Sequence, residues 1–278
     1  MRPWSLVLRV PSSEGLLYYK EPVAFHAHEA RLLEVLAQRR PALVTEVLFS
    51  DEQGRMLMRD AGEQLEHILA RDLDLRYWEQ ALPLYAELQI EAAADADELV
   101  AAGAFERRSS LLPAVYERLV AERPEGASEE EHRRLLALVP EVERFCARPS
   151  PVPETINHDD LTFTSIFLRG GACRFLDWGD ACVSHPFFTL TVTLRVIELR
   201  HELLPGSAEV RRVRDAYLEP FTCLAPLAEL GAEADEARRF GQICRAALRA
   251  EADWEHEAET VAWLLRLLLD PEAWRAWS

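Results

Sequence analysis

The sequence lacks the features that mark secreted, zinc-stabilised or membrane-spanning chains. Its five cysteines are scattered, odd in number and without CxxC spacing, which argues against a disulfide framework or a structural zinc site. The first residues, MRPWSLVLRVPSSEG, contain no continuous apolar signal core, and the apolar runs elsewhere are too short to cross a bilayer. These absences predict a cytoplasmic protein with reduced thiols and no membrane partner.

Basic residues are also scarce. The chain has 31 Lys and Arg against 48 Asp and Glu, a formal net charge of −17. Nucleic-acid surfaces need clustered basic side chains, so a nucleic-acid partner is not expected. An acidic cleft would attract a cationic small molecule, although solubility alone is the simpler explanation of the charge. A length of 278 residues with 49% hydrophobic residues suits one large domain or two lobes that share a cleft.

The first sixty residues have the pattern of a small sheet with one helix. Apolar β-type runs flank the turn residues PSSEG, and two further runs flank the turn DEQG. Between the two pairs, apolar side chains recur at helical spacing until Pro41. The predicted elements are strands over 5–10, 16–20, 43–50 and 55–60 and a helix over 24–39.

Glu29 is placed on the apolar face of that helix. It lies four residues before Leu33 and seven before Leu36, so it shares their side of the helix. A carboxylate that points inward is costly without a partner, and the candidate partner is Lys20 at the end of the preceding strand. A partly exposed glutamate at the margin of the apolar face is an equally open interpretation.

Residues 64–147 have helical spacing, with a kink expected at Pro140. β structure then returns as a hairpin over 165–169 and 173–178, after which Ser184 is the expected N-cap of the next helix. Helical patterns continue to the end of the chain.

This order of elements predicts an α+β chain with two lobes. The first, over 1–61, is a small β-sheet lobe with one helix. The second, over 62–278, is larger and mainly helical. Ala61 and Gly62 break the strand pattern and could connect the lobes.

The segment NHDDLTFTSIFLRGGACRFLDWGDA carries the residues on which a function can be argued. Asp160 precedes the second hairpin, and Asp177 ends its last strand, two residues before Gly179. Phosphoryl transfer needs a carboxylate near the attacking hydroxyl and oxygen ligands for the Mg²⁺ on the nucleotide phosphates. Carboxylates at the two ends of a hairpin can converge on one cleft, and a glycine there would let the chain leave the strand in an unusual conformation.

These residues resemble the aminoglycoside phosphotransferase family, which is related to choline kinases and has a protein-kinase-like fold. The resemblance rests on His158-x-Asp160, the hairpin and Asp177-Trp178-Gly179-Asp180, and it extends over most of the chain. The run DWGDACVSHPFFTL is especially like a bacterial subgroup of this family. The resemblance implies a small-molecule kinase that transfers the γ-phosphate of ATP to a substrate hydroxyl.

The resemblance also implies roles for single residues. Asp160 would accept the proton of the substrate hydroxyl, and His158 would hold the catalytic loop, the segment from His158 to Ser165 that contains both residues. Asp177 would bind Mg²⁺, and Lys20, paired with Glu29, would contact the phosphates of ATP. The backbone of Arg59, Asp60 and Ala61 would contact the adenine.

Two departures from the family pattern bear on activity. Ser165 stands where the family has a metal-binding Asn, and a hydroxyl is a weaker ligand for a hard cation than a carbonyl oxygen. Lys20 follows only two strands, so the first strand and the glycine-rich phosphate loop of the family are expected to be missing, which would weaken nucleotide binding.

These departures leave an alternative open, a pseudokinase that uses the fold for binding or regulation. A less favoured alternative is a metal-dependent hydrolase built on His158 and Asp159, with His185, His201 or His256 as further ligands.

The substrate is expected to be a hydroxylated and possibly cationic small molecule. Four acids could contact it: Asp180, Glu251, Asp253 and Glu255. For the C-terminal acids a solvated helix face is the favoured interpretation, because Glu251, Glu255 and Glu259 recur at a spacing of four.

Overall fold

The computed structural model describes residues 5–13, 15–252 and 257–270. Its strands are β1 (Ser5–Ser12), β2 (Gly15–Pro22), β3 (Val47–Ser50), β4 (Met56–Arg59), β5 (Glu63–Gln64), β6 (Phe105–Glu106), β7 (Thr155–Asn157), β8 (Ile166–Arg169), β9 (Ala172–Phe175) and β10 (Cys182–Ser184). Its α-helices are α1 (Glu29–Arg39), α2 (Leu65–Leu69), α3 (Arg76–Ala92), α4 (Ala96–Ala102), α5 (Leu112–Val120), α6 (Glu129–Ala137), α7 (Val139–Ala147), α8 (Leu190–Arg200), α9 (Ala208–Leu218), α10 (Leu227–Phe240), α11 (Gln242–Glu251) and α12 (Glu257–Leu269).

The N-terminal part forms an antiparallel sheet with the strand order β1-β2-β4-β3. The predicted first hairpin is confirmed, and Lys20 lies on its second strand, opposite Val7 of β1 and Met56 of β4. Because β2 pairs with β1 on one side and with β4 on the other, the position of Lys20 is fixed relative to both strands.

Helix α1 begins later than the predicted start at Ala24. Residues Ala24–His26 form a 3-10 turn, and the α-helix starts at Glu29. Its apolar face is buried as predicted, with Leu32, Leu33 and Leu36 almost inaccessible to solvent. This face joins the main hydrophobic core, which fixes the orientation of the helix and therefore of Glu29.

The helical body confirms the predicted spacing. Trp78, Leu82, Tyr85 and Leu88 all face the core along α3. At Pro140 the chain does more than kink, because α6 ends at Ala137 and Pro140 lies in the first turn of α7, where its missing N–H costs nothing.

The second hairpin is also confirmed. Strands β8 and β9 pair across Gly170 and Gly171, both with positive φ, and β5 adds to the other edge of β8. Glu63 and Gln64 thus associate with the second hairpin rather than with the N-terminal sheet. The boundary between residues 61 and 62 stays a prediction.

The predicted N-cap at Ser184 is wrong. Ser184 belongs to strand β10, and His185 caps the following 3-10 turn, Pro186–Thr189, by accepting the N–H of Phe187 on its Nδ1 (3.2 Å). Ser184 is fully buried, with its hydroxyl near the carbonyl of its neighbour.

The C-terminal helix pattern also differs from the prediction. Glu251 ends α11 and Glu259 belongs to α12, so these two acids do not share one continuous helix face. Glu255, the third of that group, lies outside the described residues. Within the described ranges, no helix combines the length and the apolar character that crossing a membrane requires.

Candidate active site

Lys20 is held between two carboxylates. Its Nζ donates to Oε2 of Glu29 at 2.6 Å and to Oδ1 of Asp177 at 2.6 Å. Strand β2 supplies the lysine, the first turn of α1 supplies Glu29, and the segment after β9 supplies Asp177. The other oxygen of Glu29, Oε1, accepts the backbone N–H of Trp178 at 3.2 Å. Both Lys20 and Glu29 are buried, so the predicted inward position of Glu29 and its pairing with Lys20 are confirmed.

The backbone around Asp177 turns in an unexpected place. Asp177 itself is left-handed, with φ 71° and ψ 52°. The prediction that Gly179 takes the unusual conformation is wrong, since its φ is not positive. Gly179 is required for a different reason: a Cβ there would lie 2.9 Å from Cγ of His26. Aspartate tolerates the left-handed region better than most residues, and here the turn directs its carboxylate to Lys20.

The charges in this cluster support one another. The ammonium of Lys20 lowers the pKa of Asp177 to about 2, against the opposing effect of burial. Burial would lower the pKa of Lys20, but Asp177 and Glu29 together raise it above its usual value. The Asp177 side chain is still about half exposed, so it can also reach a ligand in the adjoining cavity.

His158 connects the catalytic loop to the segment before Asp177. Its Nε2 donates to the carbonyl oxygen of Leu176 at 2.8 Å, and its Nδ1 accepts the N–H of Asp160 at 3.4 Å. The tautomer is assigned from these partners. The imidazole is inaccessible to solvent and lies 4.8 Å from the Trp178 ring, centroid to centroid. Such a side chain can position the loop, whereas it has no open route to a substrate.

Asp160 follows on the same loop and is partly open to solvent. Its side chain is 41% exposed, and Oδ1 lies 3.3 Å from Nη1 of Arg245. Arg245 comes from α11 and also donates to the backbone carbonyl of Asp159. Nothing in the local sequence marks Arg245, which reaches this loop from 85 positions further along the chain.

Asp159 is the residue at this site that sequence reasoning undervalued. It is buried, with φ 61°, and burial raises the pKa of its carboxyl to about 7, with Asp180 and Asp160 adding to the effect and Arg245 opposing it. A carboxyl that holds its proton near neutral pH is a common feature of functional sites.

Ser165 is buried and bonds within the catalytic loop. Its Oγ accepts the N–H of Thr162 at 2.9 Å and lies 3.0 Å and 3.2 Å from the carbonyl oxygens of Thr162 and Asp160. The neighbouring Thr164 lines the adjoining cavity. The metal-binding role of Ser165 stays a prediction.

A cavity of about 490 Å³ opens beside Lys20 and Asp177. Strand β1 and the residues Arg59, Asp60 and Ala61 also line it. The carbonyl of Arg59 accepts the hydroxyl of Thr45 at 2.8 Å, and the carboxylate of Asp60 pairs with Arg169. The three residues predicted to contact adenine therefore border the same cavity as the predicted phosphate-binding lysine.

Asp180 has basic partners. Its Oδ1 lies 2.9 Å from Nε2 of His26, and its Oδ2 lies 3.5 Å from Nη2 of Arg249. Burial opposes ionisation, yet these groups hold the pKa of Asp180 below its usual range.

Glu251 is paired as well, with the buried Arg107. The other two predicted substrate residues, Asp253 and Glu255, lie outside the described residues. The arginines at this end of the site are Arg107, which follows β6, and Arg245 and Arg249 on α11. No sequence pattern singled them out, because all three are remote in the chain from the motif segment.

The described residues do not assemble the metal site that the hydrolase alternative requires. Within the ranges the structure describes, no group of three or more His, Cys, Asp and Glu side chains could hold a metal ion. His185 pairs instead with Glu233 at 2.8 Å. His256 lies outside the described residues.

A family model described as Phosphotransferase enzyme family matches residues 2–230. The chain belongs to the phosphotransferase enzyme family. The predicted family is thereby confirmed, and with it the prediction of a phosphotransferase. No curated protein matches the chain.

Solved structures of several phosphotransferases have the same fold. The apoenzyme of macrolide 2′-phosphotransferase from Brachybacterium faecium is 19% identical with a TM-score of 0.59, and the match covers 93% of this chain and 88% of that one. An ethanolamine kinase from Plasmodium vivax is 13% identical with a TM-score of 0.67, covering 99% and 82%. The GDP complex of wild-type aminoglycoside 2′-phosphotransferase-IIIa is 15% identical with a TM-score of 0.63, covering 96% and 89%. These matches confirm the predicted α+β, protein-kinase-like fold.

The lysine content of the sequence also singles out Lys20. Lys20 is the only lysine in 278 residues, in a chain that otherwise uses arginine for every basic position. Arginine cannot replace a compact ammonium between two carboxylates without changing the geometry of the contact.

Proposed function

We propose that Lys20, Asp160 and Asp177 carry out Mg²⁺-dependent transfer of the γ-phosphate of ATP to a hydroxyl of a small molecule. The observation that carries the proposal is the position of Lys20, 2.6 Å from both Glu29 and Asp177 at the wall of the 490 Å³ cavity. A phosphoryl group needs positioning and charge neutralisation more than covalent chemistry from the enzyme, and this cluster provides fixed charges at a cavity wall.

Lys20 would bind the nucleotide phosphates. Its ammonium is held by Glu29, which is itself fixed by the N–H of Trp178, so the lysine is already oriented before a nucleotide enters. Preorganised charge costs no rearrangement at the moment of reaction.

The residues present fit a magnesium ion. Mg²⁺ commonly uses one or two protein carboxylates together with substrate phosphates, and the half-exposed Asp177 offers one carboxylate beside the cavity. Asp177 would hold the ion, with Ser165 as the second predicted ligand. When bound, the ion would neutralise charge on the β- and γ-phosphates.

Asp160 would orient the acceptor hydroxyl and accept its proton. Arg245 lies on the Oδ1 side of its carboxylate, and Oδ2 has no partner in the described part of the chain. The hydrogen bond from Asp160 N–H to His158 fixes the backbone that presents this carboxylate.

A cationic substrate would have to be bound by acidic side chains near the site. Asp180 and Glu251, the two described acids on which it rests, both have arginine partners. Paired carboxylates attract a cation less strongly than free ones, so a neutral polyol is an equally good acceptor for this site.

ATP turnover with and without Mg²⁺ tests the proposal. The acceptors should include aminoglycosides, macrolides, choline-like amines, amino alcohols and sugars. We expect Mg²⁺-dependent release of ADP with at least one of them. Absence of both turnover and nucleotide-dependent thermal stabilisation would contradict it and leave the pseudokinase alternative, which rests on Ser165 and draws no support from the family match.

A further inference from the structure

A second cavity of about 330 Å³ lies among helices α8 to α12. Helix α8 lies between this cavity and the catalytic loop. Its Thr193 donates to the carbonyl of Leu161 in that loop at 2.9 Å, while Arg195 and Glu198 of the same helix line the cavity. The second cavity shares no lining residue with the cavity beside Lys20, so it is a separate candidate site.

The lining of the second cavity is basic in a chain that is acidic overall. Two acids belong to it, Glu198 and Asp235, and a third, Glu141, pairs with one of its arginines from outside the lining. The basic side chains of the lining are Arg195, Arg211, Arg214, Arg238 and Arg239. Three carboxylates set against five guanidinium groups leave a formal charge of +2. A ligand with two negative charges would balance this lining.

The uncompensated charge can be assigned to two of the five arginines. The ion pairs of the other three are Arg214 with Asp235, Arg238 with Glu198, and Arg239 with Glu141. For Arg195 on α8 and Arg211 on α9, no carboxylate lies within ion-pair distance in the described part of the chain. These two side chains are therefore the candidate ligands of an anion.

Arg195 combines burial with unused hydrogen-bond donors. The residue is only 9% exposed, and its Nη2 reaches the carbonyl of Thr191 at 3.4 Å. Its Nε and Nη1 have no acceptor among the described residues, yet both stay open to solvent. The Trp263 ring, whose centroid lies 5.4 Å from Cζ, attracts the cation but carries no net charge. A buried guanidinium with free donors at a cavity wall is well placed to bind an oxyanion.

The charges around Arg195 also favour an anion. Burial, together with the guanidinium groups of Arg245 and Arg238, lowers the pKa of Arg195 to about 9, so the side chain is still cationic at neutral pH. A buried cation without an anionic partner is costly. A bound anion would reduce both this cost and the repulsion between the arginines.

We infer that this cavity binds a phosphate dianion, either free phosphate or the phosphate group of a monoester. Arg195 and Arg211 would hold its oxygens, because guanidinium groups donate to phosphate in charge-assisted and often bidentate hydrogen bonds. Its two negative charges match the formal charge of the lining, which a monoanion would not. A volume of about 330 Å³ lies at the lower end of small-molecule sites and accommodates a ligand of this size.

Calorimetric titration with three probes at pH 8 and constant ionic strength tests the ligand class. Inorganic phosphate and methyl phosphate are mainly dianions at this pH, whereas dimethyl phosphate is a monoanion. We expect both dianions to bind at least ten-fold more tightly than dimethyl phosphate, and the tighter of the two identifies the source of the bound group. Equal affinity for all three probes would overturn the inference.

Two arginine variants locate the binding. Arg211→Gln changes an exposed side chain and should fold normally, and both it and Arg195→Gln should weaken the dianions at least ten-fold. The matched control is Arg212→Gln, at the next position of α9, which removes the same charge from a side chain that pairs with Glu79 outside the cavity. The control should bind like the wild type. Undiminished binding in Arg211→Gln would place the phosphate elsewhere and overturn the inference.

A third variant should bind more tightly than the wild type. Asp235→Asn removes a carboxylate from the lining at a side chain that is 64% exposed, so the formal charge of the lining rises to +3. We expect at least a two-fold gain in affinity for the dianions, a change that no folding defect would produce. Unchanged or weaker binding would show that the charge of this lining does not hold the ligand, which would also overturn the inference.

Discussion

Lys20 and Asp177 are 157 positions apart in the chain, and Nζ of the lysine lies 2.6 Å from Oδ1 of the aspartate. This contact joins the N-terminal sheet to the segment that follows the second hairpin. Because Lys20 also holds Glu29, a single ammonium fixes helix α1, strand β2 and the Asp177 turn relative to one another. The cluster therefore has a structural role beside its proposed function, and experiments on it must separate the two.

Replacing Lys20 with Met should reduce stability and abolish nucleotide binding. The variant leaves the Glu29 carboxylate buried without its cation, which typically costs about 3–5 kcal/mol. The double variant Lys20→Met with Glu29→Gln removes both charges, so it should recover much of this loss while nucleotide binding stays absent. Urea unfolding and ADP titration measure the two effects separately.

The double variant also serves as the control for folding. If it regained both the stability and the nucleotide affinity of the wild type, Lys20 would have no direct contact with the phosphates.

Lys20 should resist amine-directed acylation in the native chain. Glu29 and Asp177 raise its pKa, so little free amine is present at pH 8, and burial limits access. Since it is the only lysine, mass spectrometry after treatment with an N-hydroxysuccinimide ester reports on it directly. We expect labelling in urea and almost none in buffer. Asp177→Asn, which keeps a residue tolerant of the left-handed backbone, should label faster.

A lysine-containing peptide added to the same sample is the control, because it should react in both conditions. Rapid acylation of native Lys20 would contradict the pairing seen in the structure.

Replacing Asp160 with Asn should lower kcat by about 10²- to 10⁴-fold, the usual contribution of a positioned general base. Stability should change little, because the side chain is 41% exposed and its ion pair with Arg245 is long at 3.3 Å. Steady-state turnover and thermal unfolding measure the two quantities. Asp97→Asn, at a side chain that is 95% exposed, is the matched control and should behave like the wild type. Turnover in Asp160→Asn equal to that of the control would remove Asp160 from the proposed chemistry.

The elements of the fold could be predicted from the sequence because their signals are local. Both hairpins have turn residues between apolar runs. Helical spacing put Glu29 on the apolar face of its helix, while a partly exposed position at the margin of that face stayed equally open. The details that failed depend on neighbours remote in the chain. Gly179 is required because the side chain of His26 packs against it. Ser184 cannot cap the next helix because it belongs to β10, where it pairs with Thr155 of β7, so His185 is the cap instead.

The residues of the candidate site also differ in whether their signal is local or depends on the folded chain. His158, Asp160 and Asp177 are found by motif, since they lie in the two short patterns that carry the resemblance, and Lys20 is found by its position on the strand before the Glu29 helix. Arg245 comes from a helix with no motif, and the burial that makes Asp159 unusual exists only in the folded chain. Side chains whose role depends on tertiary burial leave no periodicity or spacing to detect.

Replacing Ser165 with Ala should destabilise the catalytic loop. The N–H of Thr162 would lose its acceptor at 2.9 Å in a partly buried position, which costs about 1 kcal/mol. Urea unfolding measures the loss. Ser50→Ala, at a hydroxyl whose bond to Glu34 is long and exposed, is the control.

The Mg²⁺ dependence of turnover in the same variant addresses the predicted metal role. If Ser165 is a direct ligand, the half-saturating Mg²⁺ concentration of Ser165→Ala should be more than ten-fold higher than that of the wild type. An unchanged value would restrict Ser165 to its contacts within the loop.

Asp159 should make the chain less stable as the pH rises. Burial raises its pKa from the usual value near 4 to about 7, so between these values the folded chain holds a proton that the unfolded chain releases. Stability contributed by this group is therefore fully present below pH 4 and lost by pH 7, by about 4 kcal/mol at most.

His28 opposes the trend, because burial lowers its pKa to about 4, so the pH dependence of wild-type stability alone does not test Asp159. The variant Asp159→Asn removes only the first contribution and keeps a residue that tolerates φ 61°. Its free energy of unfolding, measured in urea at pH 5 and pH 7.5, should exceed that of the wild type by more at the higher pH, whereas curves that run parallel would show that Asp159 does not titrate in this window.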